Sequence, residues 1–101
     1  MHFEWDDAKN ERNIQHHKLD FADATNVFEG PLLTDRDDRL AYGEDRWVSI
    51  GFMNPLVIVV VWTERNGDTI RIISARKANK HERKRYEAYI TNRLGAFGEY
   101  G

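Results

Sequence analysis

Six side chains in this sequence are of the types that work on a phosphodiester: Arg46, Glu64, Arg65, Arg71, Arg76 and His17, with Lys9 and Tyr86 as candidate helpers. RNA carries its own nucleophile, the 2′-hydroxyl. A protein that cuts RNA without a metal therefore needs a base for that proton, cations for the charge developing on the phosphate oxygens, and an acid for the leaving oxygen. Arginine suits the second duty because its planar fork meets two phosphate oxygens at once. Trp62 or Trp47 offers a face on which an unpaired base can stack. Each residue also has a plainer reading. Glu64 and Arg65 fit a surface ion pair, and both tryptophans fit a core.

Other chemistries find less support. The histidines stand at 2, 16, 17 and 81, and no two have the i,i+4 spacing that puts a pair of imidazoles on one helix face, so no metal site is expected. Asp35-Arg36-Asp37-Asp38 lacks the glycine and glutamate that a calcium loop requires and reads as a solvated turn. The absence of cysteine removes disulfides, thiolate metal sites and cysteine nucleophiles together. There is no glycine-rich phosphate loop and no Gly-x-Ser-x-Gly elbow.

The elements that must position these groups belong to one domain, because 101 residues suffice for a single core. The expected domain covers residues 1–94, with 95–101 as a loose tail. The longest apolar run, Leu56 to Trp62, is too short to span a bilayer, and the N-terminus has neither the cationic start nor the apolar stretch of a secretory signal, so a cytoplasmic protein without membrane contact is expected. The net charge of −2 hides an asymmetry. Residues 1–64 carry six Lys/Arg against thirteen Asp/Glu, a net of −7, whereas residues 65–94 carry nine against three, a net of +6. That division fits either a polyanionic partner at the basic end or mutual neutralisation of the two regions within the fold.

Local signals give an α+β order, β-α-α-β-β-β-β-α, with helices segregated from an antiparallel sheet. Phe3 to Trp5 reads as a strand. Asp6 caps a helix reaching about His17, and Asp20 caps a second that Gly30-Pro31 stops. Strands are expected at Leu32 to Asp35, about Arg46 to Met53, Leu56 to Arg65 and Thr69 to Arg76. Asn66-Gly67 is a strong hairpin signal, since both residues tolerate positive φ. With Arg65 and Asp68 flanking that turn, Trp62 faces Arg71 and Val61 faces Ile72. The Val57, Val59, Val61 face then lies under the helices, Arg71 shares the mixed face with Trp62 and Glu64, and Ser74 and Arg76 alternate onto the other side. A last helix begins near Asn79, where Asn79 and Glu82 have capping-box spacing, and its stripe is Tyr86, Tyr89 and Ile90.

Taken in order, these residues resemble the BrnT toxins of bacterial BrnT/BrnA type II toxin-antitoxin systems over about residues 3–90. The N-terminal block is Phe3-Glu4-Trp5-Asp6, Lys9, Asn13, His17, Phe21, Ala24 and Phe28. The middle is Glu44-Asp45-Arg46, Ile50-Gly51, Val59-Val60-Val61 and Thr63-Glu64-Arg65. The last is Arg71-Ile72-Ile73-Ser74-Ala75-Arg76, Ala78, Glu82-Arg83 and Tyr86. The resemblance implies a RelE-like fold and metal-independent endoribonuclease activity that inhibits translation, with no cofactor. It also implies a small DNA-binding BrnA-like antitoxin that neutralises the toxin and joins it in repressing their operon, so that operator DNA is met only through the complex. Carried across, the roles are phosphate binding or transition-state stabilisation for Arg65, Arg71 and Arg76, and proton transfer for His17 or Glu64. Lys9, Arg46, Trp62, Lys77, Arg83 and Tyr86 are expected to bind RNA. Two positions depart from the pattern: His16 stands where the family has lysine, and the acidic pair before Arg46 is Glu44-Asp45. A histidine carries only partial charge near neutral pH, which weakens any phosphate contact made there. The alternative is a non-catalytic module that binds an antitoxin or co-represses. Growth arrest on expression separates the two. A lone DNA binder is disfavoured by the lack of a helix-turn-helix pattern.

Overall fold

The computed structural model describes the backbone of residues 1–39, 41 and 43–98, with side chains described as far as Arg93. Its elements are β1 (His2–Trp5), α1 (Asp7–His17), α2 (Phe21–Ala24), a 3₁₀ turn (Thr25–Glu29), β2 (Leu33–Arg36), β3 (Trp47–Met53), β4 (Leu56–Arg65), β5 (Thr69–Lys77) and α3 (Lys80–Gly98). Local chemistry accounts for most boundaries. Asp6 accepts from the Lys9 amide at 3.0 Å, and Asp20 accepts from the Ala22 amide at 2.9 Å. Asn79 and Glu82 cap each other reciprocally, at 2.9 and 2.8 Å. The second helix is shorter than its pattern suggests: α2 gives way to the tighter 3₁₀ turn, whose Val27 is pressed onto Gly51 of β3. A β-carbon at Gly51 would lie 2.7 Å from that of Val27, so only glycine allows this approach. α3 runs four residues into the segment read as a tail, and residues 99–101 lie outside the described residues.

The five strands form one sheet in the order β1-β5-β4-β3-β2. It is mixed, which corrects the antiparallel expectation: β2, β3, β4 and β5 pair antiparallel, but β1 runs parallel to β5, with Glu4 beside Arg71 and Trp5 beside Ile72. A four-residue strand carries no local signal of direction. Its direction is set by α1, which follows it and packs along the part of β5 that β1 does not reach, where Asn13 Oδ1 accepts from the Ala75 amide at 3.3 Å.

The register of β4 and β5 also differs from expectation. Asn66 and Gly67 take φ of 58° and 74°, as the turn chemistry requires, but Arg65 pairs with Thr69 instead of Asp68, so Trp62 faces Ile72. The ladder then shifts between Val61 and Trp62, where a β-bulge leaves Ile73 unpaired and puts Val61 opposite Ser74 and Val59 opposite Arg76. The faces follow from these two slips. The side packed by α1, α2 and the 3₁₀ turn carries Ile58, Val60, Ile70, Ile72 and Ala75 against Phe21, Ala24 and Val27, and is not the Val57, Val59, Val61 side. That other side is covered over Ile50 and Val59 by Ala78 and Tyr86 of the α3 region, and its open part carries the half-buried Arg71, Ser74 and Arg76. Because the bulge absorbs exactly one residue, deleting one of the two adjacent isoleucines is expected to leave every face assignment intact and cost less than about 2 kcal/mol. Urea unfolding of the one-residue deletion checks this, and an unfolded product contradicts it.

Candidate functional site

The bulge decides what the open face presents. Residues 71 and 76 would point to opposite sides of a regular strand, and the extra residue at 73 returns Arg71, Ser74 and Arg76 to one side. Arg71 donates from Nη1 to Glu4 Oε2 of the neighbouring β1 at 2.6 Å. Arg76 grips Glu82 with both terminal nitrogens, at 2.8 Å each. Ser74, Arg76 and the segment Asp35 to Arg39 wall a cleft of about 340 Å³ floored by Val48, Val59 and Val61, with Arg71 outside its lining. Asp37 is buried there, and its two carboxylate oxygens take Nε and Nη2 of the exposed Arg39 at 2.7 and 2.9 Å.

His17 ends α1 close enough to Arg76 to feel its charge, but does not line this cleft. Lys9, Asn13 and His17 follow at i, i+4 and i+8, so they share one side of the helix. Asn13 is buried and donates to the Leu19 carbonyl at 3.0 Å while accepting from Ala75, which fixes the end of α1 against β5. Partial burial, with help from the charges of His16 and Arg76, lowers the His17 pKa below its ordinary value of 6.5. The imidazole is therefore neutral at physiological pH and can accept a proton. His16 packs edge-on against His17, ring centres 4.4 Å apart.

Glu82 takes on two jobs at once. Its Oε1 accepts from the Asn79 amide and from Arg76, so the cap of α3 is also the clamp on the guanidinium. The Arg76 hydrogen bonds hold its carboxyl down at about 2, against an ordinary 4.5. A depressed acid stabilises the fold fully above pH 4.5 and loses that contribution as pH falls towards about 2. Thermal unfolding between pH 5 and 2 is accordingly expected to show a steeper acid loss for the native chain than for Glu82→Gln.

The remaining expected site residues are dispersed. Arg46 lies one position before the Trp47–Trp62 pair, which sets it across from Thr63 and in the row that continues to Arg71. Arg65 and Glu64 are exposed at the hairpin end, where Arg65 Nη2 lies 3.8 Å from Glu44 Oε1. Glu64 pairs with Ile70 and so points to the side away from Arg71. Lys9 is exposed on the first turn of α1. Trp62 is half-buried on the helix-covered side, packed edge-on by Phe28, and donates to Ser49 Oγ at 2.9 Å. The expected sharing of one face by Trp62 and Arg71 is thus corrected by the register. Tyr86 is buried and donates to the Pro31 carbonyl at 2.8 Å, and burial pushes its pKa up. Lys77 and Arg83 line a different cleft, beside α3. Sequence reasoning gave no role to Ser74, Glu4 or Asp37. It found Glu82 as a cap but not as the partner of Arg76, a link that only the turn between β5 and α3 creates.

Comparison with known proteins identifies the family. Residues 5–82 match the family model described as the ribonuclease toxin BrnT of type II toxin-antitoxin systems. Among solved structures, the chain is similar to the crystal structure of the Brucella abortus ribonuclease toxin BrnT, with a TM-score of 0.62 and 30% identity over 79% of this chain and 99% of that one. No curated protein matches.

Proposed function

Since the chain belongs to the BrnT family of ribonuclease toxins of type II toxin-antitoxin systems, we propose that it is a metal-independent endoribonuclease whose active site centres on the cleft at Arg76, with Arg71 on the same side of the sheet and His17 near Arg76 at the end of α1. The observation that carries this reading is the β-bulge, which turns both arginines to one side of the sheet, with His17 near enough to Arg76 for the guanidinium to help lower its pKa. In the proposed reaction His17 accepts the 2′-hydroxyl proton and the 2′-oxygen attacks phosphorus. Arg71 and Arg76 hold the non-bridging oxygens as negative charge builds on them, and the 5′-oxygen leaves and takes up a proton. Arg46 extends the cationic row along the backbone of the RNA. Glu64 lies at the hairpin end opposite Ile70, whereas His17 lies near enough to Arg76 to feel its charge, which favours His17 as the base.

A type II toxin has an antitoxin partner, and the reading extends to a BrnA-like DNA-binding protein that neutralises this chain and recruits it to their shared operator. It extends also to a RelE-like classification of the fold and to action in the cytoplasm; among the described residues no helix is long and apolar enough to cross a membrane. Purified protein incubated with RNA and excess chelator is expected to cleave it. Intact RNA, or cleavage that needs added metal, overturns the proposal. The His17 assignment has its own signature: the rising limb of the pH–rate profile should lie below pH 6.5, and His17→Ala should lose that limb together with about 100-fold or more of the rate.

A second reading has one observation in its favour. Arg71 and Arg76 already hold carboxylates, as a purely structural pair would. Growth after induced expression distinguishes a binder, which leaves it unchanged, from a toxin, which arrests it.

A further inference from the structure

A second cleft on the described surface lies apart from the one at Arg76. It is a groove of about 570 Å³ between α3 and the β3–β4 hairpin, floored by Leu56, Val57 and Ile90, with Phe52 at its edge and Lys77 and Arg83 on its rim. Phe52 is 49% exposed, an unusual state for a large aromatic on a strand. The two rim cations differ from most of the chain's arginines. Arg36, Arg39, Arg65, Arg71, Arg76 and Arg85 each sit on a carboxylate. Among the described ion pairs neither Lys77 nor Arg83 takes part, and these two rim cations outnumber the single acid of the lining, Glu87.

We propose that the groove between α3 and the β3–β4 hairpin receives an acidic amphipathic segment of the antitoxin, with apolar side chains on Phe52, Leu56, Val57 and Ile90 and carboxylates on Lys77 and Arg83. The inference rests on the toxin reading for the existence of that partner, and on this chain's own surface for its chemistry. An aliphatic floor gains free energy by excluding water against apolar side chains, which a peptide supplies and a phosphate backbone does not. Cations on the rim steer an acidic partner and fix its direction in the groove. The seat also abuts the cleft on the sheet. Glu82 and Arg83 are consecutive on the first turn of α3; one clamps Arg76, and the other donates to the Ala78 carbonyl at 2.9 Å and lines the groove. A segment held there bears on the element that orients Arg76.

The test uses the full chain and the purified antitoxin encoded beside it, with affinity measured by calorimetry and RNA cleavage by the free chain measured separately. Phe52→Asp is expected to weaken antitoxin binding by about 30-fold or more, the size of an interface hot spot, while free Phe52→Asp still cleaves RNA at the native rate. The double variant Lys77→Glu with Arg83→Glu is expected to weaken it by at least about 10-fold and to flatten the dependence of affinity on salt. In the native complex, amide exchange should slow across residues 52–57 and 86–91; this readout needs no variant and stands if one fails to fold. Unchanged affinity in either variant, no antitoxin binding by the native chain, or exchange protection elsewhere overturns the proposal. So does the opposite pattern, in which the double variant loses RNA binding and keeps the antitoxin, which would make the groove an RNA surface. Failure of the ribonuclease reading shows separately, as absence of cleavage by the native free chain.

Discussion

Arg71→Ala and Arg76→Ala are each expected to lower the rate of RNA cleavage by about 100- to 1,000-fold, the scale of removing one donor aimed at charge that develops in a transition state. The expectation depends on both guanidiniums being available to phosphate although both hold carboxylates in the free protein. Magnitudes favour the exchange. The Arg71 side chain is 28% exposed and Glu4 39%, and exposed pairs of this kind are worth only about 0.2–1 kcal/mol. Replacing the Glu4 carboxylate by a phosphodiester oxygen is then expected to be nearly neutral at Arg71, whereas Arg76, gripped at both terminal nitrogens by the more buried Glu82, is expected to meet phosphate without leaving its carboxylate. The two variants should differ in stability. Arg76→Ala deprives Glu82 of its bidentate partner and weakens the seating of α3 on β5, whereas Arg71→Ala releases a carboxylate already part-exposed at the sheet edge. Single-turnover cleavage and thermal unfolding, run on both, separate the effects. Native cleavage by either variant would mean that the two arginines do not serve one site.

The second large effect is expected at a residue that touches no substrate. Asn13 is buried, and its amide joins three elements by donating to the Leu19 carbonyl and accepting from the Ala75 amide. Asn13→Leu leaves both backbone groups without partners away from water, which should cost about 2–4 kcal/mol. Asn13→Asp keeps the acceptor for Ala75 and loses the donor to Leu19, so its cost should be smaller. Because His17 lies one helical turn beyond Asn13, the leucine variant should also lose cleavage beyond what unfolding explains, at temperatures where it is still folded. Urea unfolding paired with cleavage at low temperature checks both. Equal stability of the leucine variant and the native chain would show that the bridge does not hold α1 in place.

Much of the architecture was legible in the sequence. The caps at Asp6, Asp20 and Asn79, the Asn66-Gly67 turn and the extent of β4 were set by contacts within a few residues. The ordered motif blocks were likewise legible, and they led to the right family because motif spacing survives without knowledge of the sheet. The sequence by itself therefore determined the α+β class, the succession of elements and the membership. What only the tertiary structure decided was which side of the sheet each residue occupies. An inserted residue in a strand reverses all that follows it, and no local preference marks Ile73 over Ile72 as the unpaired one. The parallel placement of β1, the sharing of one side of the sheet by Arg71 and Arg76, the Glu82 clamp and the position of His17 near Arg76 all depend on pairings between distant segments. Those pairings were settled by the collective burial of Ile58, Val60, Ile70, Ile72 and Ala75 beneath the N-terminal helices, an energy that no single stretch of the chain contains.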